Sequence, residues 1–380
     1  MRTNPVLEEL GTYPIAQLQE RARAMRATGQ PLIDFSIGDP IEPTPEFIRE
    51  ALRRAVPAIS QYPTVAGLPE LRRAIADYLT RRLGVTVDAA SQVLPTSGSK
   101  EAIFSTPLAF IERGSAQAVV WAAPAYPVYE RGARFGGAEG IAVRLEGDFV
   151  LRPEQIPEEA WRRARLLWVN YPHNPTGAVV SDGHLRALVE RAREAGVLLL
   201  SDECYLDVYE SEPPPSVLQV AGPSAEGVLI YLSLSKRSGM TGYRSGAIVG
   251  DARAIEALRA LRSSVGVGSP EFIQLAATAA WSDDAHVAER RAVFSAKRAV
   301  LRKAFEAMGF EVVGSQAGIY LWVEASDDAA TAARLLEAGV VVSPGRVFGP
   351  GGEGYLRLAL VPSLEECEAA VEVLRACLES

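Results

Sequence analysis

Through the middle of the chain, short apolar runs alternate with stretches whose apolar residues recur every three or four positions. The runs at 118–122, 166–169, 197–200, 228–232 and 247–249 are apolar at successive residues, as strands buried on both faces must be. Between them lies helical spacing such as 185–195, where Leu185, Leu188 and Ala192 share a face. This alternation predicts an α/β fold, a mostly parallel sheet sandwiched by helices. The last hundred residues read differently, with long helical patterns and then a strand at 355–361. A closing helix is signalled by Ser363 with Glu366 three residues on, followed by an apolar stripe of Cys367, Ala370, Val371, Leu374 and Leu378. That stripe gives Cys367 a place in a core and no chemistry. At 380 residues the chain exceeds what one core usually carries. We therefore expect a large domain over 40–285 and a smaller α+β domain formed by 1–39 with 286–380, joined through compact structure because no repeat or Gly/Ser linker separates them.

Composition narrows the class of partner. With 48% hydrophobic and 23% charged residues the chain reads as globular, and its formal charge of -8 argues against non-specific binding to nucleic acid or an anionic membrane. Cys204, Cys367 and Cys377 are too few and too irregularly spaced for a disulfide framework or a zinc site, so no metal is expected. The opening MRTNPVLEEL lacks a signal-peptide core, and no run approaches about 18 apolar residues. A cytoplasmic protein acting on a small molecule is the expectation.

In an open parallel sheet, ligands bind at the carboxyl ends of strands, and the polar residues collect there. The 118–122 run leads to Pro124-Ala125-Tyr126, and 166–169 to Asn170-Tyr171-Pro172-His173-Asn174-Pro175-Thr176-Gly177. The 197–200 run leads to Ser201-Asp202-Glu203-Cys204-Tyr205, and 228–232 to Ser233-Leu234-Ser235-Lys236. A lysine directly after a buried strand is costly to hold as an ammonium, and such lysines often serve as nucleophiles; a lysine whose head reaches water is the bland alternative. Arg244 follows among Gly239, Gly242 and Gly246, suiting a close approach to an anion. Thr96-Ser97-Gly98-Ser99-Lys100, before a helical run at 101–110, reads as a second phosphate cradle or as a plain helix cap.

These residues, in this order and spacing, resemble the class I/II aminotransferases of the type I pyridoxal-phosphate fold over nearly the whole chain. The motifs that carry the likeness are Asn174-Pro175-Thr176-Gly177, Asp202 with Tyr205, and Ser233-x-Ser235-Lys236 followed by Arg244. The resemblance implies pyridoxal 5'-phosphate held by Lys236 as a Schiff base, with Lys236 then moving the proton. Asp202 would pair with the pyridine nitrogen, and Asn174 and Tyr205 with the ring oxygen. Tyr126 would stack on the ring, while Gly98, Ser99, Ser233, Ser235 and Arg244 hold the phosphate, with Lys100 close by. Tyr62 would reach that phosphate from the other subunit of a homodimer with shared active sites. Arg357 would clamp the substrate α-carboxylate, assisted by the backbone of Gly38. His173 is expected to support the Asn174 loop and His286 to be a helix residue.

Specificity is less legible. Segments such as Val93 to Ala102 and Gly318-Ile319-Tyr320-Leu321-Trp322 resemble succinyldiaminopimelate aminotransferases, implying N-succinyl-LL-2,6-diaminopimelate and 2-oxoglutarate as amino-acid and 2-oxo-acid substrates in lysine biosynthesis. No arginine lies between Ser263 and Ser269, so a dedicated aspartate enzyme is disfavoured, and Arg237 or Arg262 is left to receive a distal carboxylate. Tyr13, Arg237 and Tyr320 are candidate contacts for a long tail. A general aspartate/aromatic-type aminotransferase, a β-lyase of the same fold and a ligand-sensing regulator remain alternatives.

Overall fold

The apolar runs become the interior of a seven-stranded sheet. The computed structural model describes residues 1–11 and 16–378. After a short β1 (Ile33–Asp34), the chain lays down β2 (Val93–Thr96), β3 (Ala118–Ala123), β4 (Glu139–Arg144), β5 (Ala164–Asn170), β6 (Leu198–Asp202), β7 (Val228–Ser233) and β8 (Gly246–Gly250). Their order across the sheet is β2-β8-β7-β6-β5-β3-β4. From β4 to β7 every pairing is parallel, whereas β8 runs antiparallel to both β7 and β2. The run at 247–249 is thus a strand, but not a parallel one. Its connection from β7 contains only the four-residue helix Leu234–Arg237, whereas a parallel return is usually made by a full crossover helix.

Successive residues of these strands enter opposite layers, and both layers are filled. Trp121, Trp168, Leu200, Leu229, Tyr231 and Ile248 pack in one core, while Val120, Leu167, Val169, Leu199, Ile230 and Val249 pack in the other. Period-two alternation with two apolar faces explains why the runs are continuous. The helix Asp182–Glu194 covers the second core with Leu185, Leu188, Val189 and Ala192. The helix anticipated at 101–110 is two, Ser99–Ser105 and Pro107–Phe110, divided where Pro107 has no amide to continue the ladder.

A second sheet follows, formed by β9 (Val312–Val313), β10 (Tyr320–Glu324), β12 (Ser343–Pro344) and β13 (Tyr355–Ala359) in the antiparallel order β12-β13-β10-β9. Between them β11 (Val340–Val341) pairs in parallel with β1, tying residues near the N-terminus to this region. Its own core includes Phe35, Phe294, Leu301, Leu321, Leu356, Leu358, Cys367 and Ala370. The closing helix Leu364–Leu378 opens with the reciprocal cap: the Ser363 amide donates to Glu366 and the Glu366 amide to Ser363 Oγ. Cys367 is fully buried in the helix's apolar face. Among the described residues no helix is long and apolar enough to cross a membrane.

Candidate active site

The carboxyl ends of β5, β6 and β7 open into a cavity of about 440 Å³, closed on its far side by β13 and the segment after β1. Asp202 is the last residue of β6, so the strand delivers its carboxylate into the cavity floor. Oδ2 accepts from the Tyr129 hydroxyl at 2.8 Å and Oδ1 from the Cys204 amide at 3.2 Å. Among the described residues no basic side chain forms an ion pair with it. Burial pushes its carboxyl above the usual range, with the hydrogen bonds from Cys204 and Tyr129 opposing. A buried carboxylate with two donors and no cation is suited to a ligand that brings a protonated nitrogen.

Lys236 sits in the helical turn directly after β7, and its Nζ donates to the carbonyl of Gly38. Burial lowers its pKa to about 8, with Asp39 acting against that shift. Its amine is therefore far closer to the neutral, nucleophilic form at physiological pH than an exposed lysine's. Ser233 and Ser235 flank it, with the Ser235 amide donating to Ser233 Oγ at 3.1 Å, and Ser99 approaches from the neighbouring helix. Arg244 holds a left-handed backbone at φ 55° and lies against Gly98, where any Cβ would collide with its guanidinium. Three hydroxyls and a guanidinium thus converge at one end, an anion-binding donor set. Lys100 lines the same end, and burial together with Arg244 and Arg131 lowers its pKa.

At the other end Arg357 projects from β13 into the cavity. Its Nη1 donates to Asn174 Oδ1 at 3.0 Å and Nη2 to the Ser36 carbonyl at 2.8 Å, while its guanidinium carbon lies 4.3 Å from the ring centroids of both Tyr320 and Phe348. The Asn174 loop is braced by its own amide donating to Asn170 Oδ1 at 2.8 Å and by His173 Nδ1 against Thr176 Oγ1 at 2.8 Å. Burial lowers the His173 pKa to about 4, which leaves a neutral support. The fork fixed beside Asn174 has the geometry for a planar carboxylate.

The structure brings together Gly38, Ser99, Lys100, Tyr126, Asn174, Asp202, Tyr205, Ser233, Ser235, Lys236, Arg244 and Arg357 around this cavity, and Gly98 stands behind Arg244. Tyr62 is fully exposed on this chain, outside the cavity. Both arginines suggested for a distal carboxylate lie elsewhere. Arg237 is buried against Asp207 and Asp284 at 2.8 and 2.6 Å, and Arg262 is bidentate to Glu101 at 2.7 and 2.8 Å. Internal carboxylates already consume their charge. Tyr13 lies outside the described residues. His286 stands in the helix Ala285–Ala307 as expected, bonded to Asp283 and Ser238. Sequence reading missed Tyr129, Phe348 and Gln19. Gln19 reaches the cavity from the helix Ala16–Ala27, which carries no motif, whereas Tyr129 three residues after Tyr126 was a findable signal.

The profile of the family "Aminotransferase class I and II" matches residues 30–374. The chain is similar to an LL-diaminopimelate aminotransferase of Dehalococcoides mccartyi, 36% identical over 384 residues and 98% of each chain. It is 37% identical over 368 residues to a 4-dedimethylamino-4-oxo-anhydrotetracycline transaminase of Streptomyces rimosus, covering 96% of this chain and 99% of that one. Among solved structures, a probable N-succinyldiaminopimelate aminotransferase from Thermus thermophilus superposes with a TM-score of 0.90 at 31% identity, covering 96% of this chain and all of that one.

Proposed function

Since the chain belongs to the class I and II aminotransferases, which are pyridoxal-phosphate-dependent transaminases, we propose that it moves an amino group from N-succinyl-LL-2,6-diaminopimelate to 2-oxoglutarate in lysine biosynthesis. The observation that carries this reading is the Arg357 fork fixed beside Asn174, which suits a substrate α-carboxylate, taken with the similarity to an LL-diaminopimelate aminotransferase and to a probable N-succinyldiaminopimelate aminotransferase. The end lined by Lys100 and Arg244 is left to the cofactor's phosphate.

The residues present fit the cofactor. Ser99, Ser233, Ser235 and Arg244 would hold its phosphate, and the glycine required at 98 keeps Arg244 in reach. Asp202, short of a cation, would hold the pyridine nitrogen's proton. Asn174 and Tyr205 would face the ring oxygen, Tyr126 the ring, and Lys236 would be the covalent anchor. Pyridoxal phosphate, when bound, supplies an electron sink for the pair left behind when the substrate Cα–H bond breaks. Arg357 and the Gly38 backbone bind the α-carboxylate and so orient the Cα–H bond. Lys236, whose pKa burial lowers to about 8, would take that proton and return it, in a 1,3 shift across the nitrogen, to the cofactor carbon that had carried the aldehyde oxygen. Tyr62, fully exposed here, would complete the phosphate site of a second copy, making the enzyme a homodimer with shared sites.

A second reading, unacylated LL-diaminopimelate as donor, is favoured by the name of the Dehalococcoides relative. Initial rates with 2-oxoglutarate and three donors separate these readings. We expect succinyldiaminopimelate to exceed aspartate by at least about tenfold in kcat/KM, roughly 1.4 kcal/mol. A preference for LL-diaminopimelate moves the assignment to the second reading, and equal rates on aspartate overturn both.

A further inference from the structure

Tyr320 is the first residue of β10 and is 3% exposed. In the pairing of β10 with β13, Trp322 stands opposite Arg357 and Tyr320 opposite Ala359. Alternation along antiparallel strands therefore puts Tyr320, Trp322 and Arg357 on one face of the small sheet. From there Tyr320 makes three contacts that belong to different parts of the cavity. Its ring centroid lies 4.3 Å from the Arg357 guanidinium carbon. Its hydroxyl lies 2.9 Å from the Tyr205 hydroxyl, which follows β6 of the large sheet. It also abuts Gly38, where a Cβ would collide with the Tyr320 hydroxyl and whose carbonyl receives Lys236 Nζ.

A phenol has one proton to give and can also accept. If Tyr205 spends its proton on the cofactor's ring oxygen, the 2.9 Å contact is satisfied only with Tyr320 as donor. Each O–H in such a chain is polarised by the one behind it. The same side chain offers its ring face to a guanidinium already fixed by Asn174 and Ser36, which favours a single orientation of the fork.

We propose that Tyr320 is a positioning residue that joins the carboxylate clamp to the proton chain at the cofactor's ring oxygen, its ring aligning Arg357 and its hydroxyl donating to Tyr205. The inference rests on the reading of Tyr205 above and extends it to a residue of the other sheet. Docking of the small sheet against the large one thereby sets the electronic state of the cofactor as well as the shape of the pocket.

The test is an absorbance titration of the holoenzyme, with the pKa of the bound chromophore as the readout, on Tyr205→Phe, Tyr320→Phe and Tyr320→Leu. Tyr320→Phe keeps the ring and removes the donor. It should raise the chromophore pKa by about half a unit to one unit, in the same direction as Tyr205→Phe, since a weaker donor stabilises the ring oxygenate less. Its KM for the amino donor should stay within about twofold, because the face toward Arg357 is intact. Tyr320→Leu should raise the pKa equally and KM by about tenfold. A chromophore pKa unchanged in Tyr320→Phe but shifted in Tyr205→Phe overturns the hydroxyl link, and an unchanged KM in Tyr320→Leu overturns the alignment of Arg357. If neither tyrosine moves the pKa, the proposal falls with the role given to Tyr205, while turnover lost in Lys236→Ala still supports the aminotransferase reading.

Discussion

Two polar clusters meet at the ends of β6 and β7, and they treat charge in opposite ways. On one side Asp202 and Lys236 face the open cavity; on the other, their immediate neighbours Glu203 and Arg237 line a void of about 10 Å³ together with Tyr78, Asp207 and Trp281. Cys204 and Ser233 line both and form the wall between them. In the closed cluster Asp207 receives Arg237 and Tyr78 at 2.8 Å and Arg82 at 3.0 Å, and the Arg237 guanidinium lies 4.8 Å from the Tyr78 ring centroid and 5.1 Å from that of Trp281. One chain completes that cluster. In the cavity, among the described residues, Asp202 has donors but no cation, and Lys236 donates to a backbone carbonyl. Charge answered within the chain holds structure together, whereas charge delivered by a strand end toward open space is held for a ligand.

The contrast is tested most severely at Lys236. Lys236→Ala should lower kcat by at least about 10³-fold, with cofactor still bound through its phosphate, as steady-state rates and cofactor titration would show. Asp202→Ala should follow at about 10²- to 10³-fold in kcat with little change in KM, since it acts on charge that develops in the transition state; a rise in KM alone would refute its role. Across the wall, Arg237→Leu should cost about 2–3 kcal/mol in denaturant unfolding by taking from Asp207 one of its two cationic partners, with Tyr78 and Arg82 left as donors. Its kcat per folded molecule should remain within about threefold, and a catalytic collapse without instability would break the comparison.

Glu203 gives the smallest effect. Ser201 Oγ and the Val217 amide both donate to Oε1, while Oε2 has no partner among the described residues. Burial raises its pKa from 4.5 to about 7. Through that window the folded protein keeps a proton that the unfolded chain has lost, so stability falls as pH rises from about 4.5 to 7 and the penalty, about 1–3 kcal/mol, stands in full above it. Glu203→Gln should show a shallower fall in Tm between about pH 5 and 8.

The cavity was largely legible because its residues sit next to features that sequence carries: a strand's apolar run, then Asp202, Lys236 or Asn174. The closed cluster was not. Arg237 looked available for substrate since its partners Asp207 and Asp284 lie 30 and 47 residues away along the chain, and Glu101 lies 161 residues from Arg262. Tyr320 was named only as a contact for a substrate tail, because the hydroxyl that answers it comes from Tyr205, in the other sheet. Edge strand β4, Glu139–Arg144, went unseen because its charged ends and partial exposure break the apolar run that marks the interior strands.

The antiparallel strand β8 has a consequence for biosynthesis. β2, which leads into the Gly98–Lys100 turn, pairs among the described residues with β8 alone, and β8 follows it by roughly 150 residues. At the usual pace of about 5–20 residues per second, a ribosome needs roughly eight to thirty seconds to supply that partner. Throughout this interval the nascent chain already carries the turn that receives phosphate but has nothing to hold it in register. Arg244 emerges immediately before β8, so the two halves of the anion cradle come into register in one late step, when β8 pairs with β2.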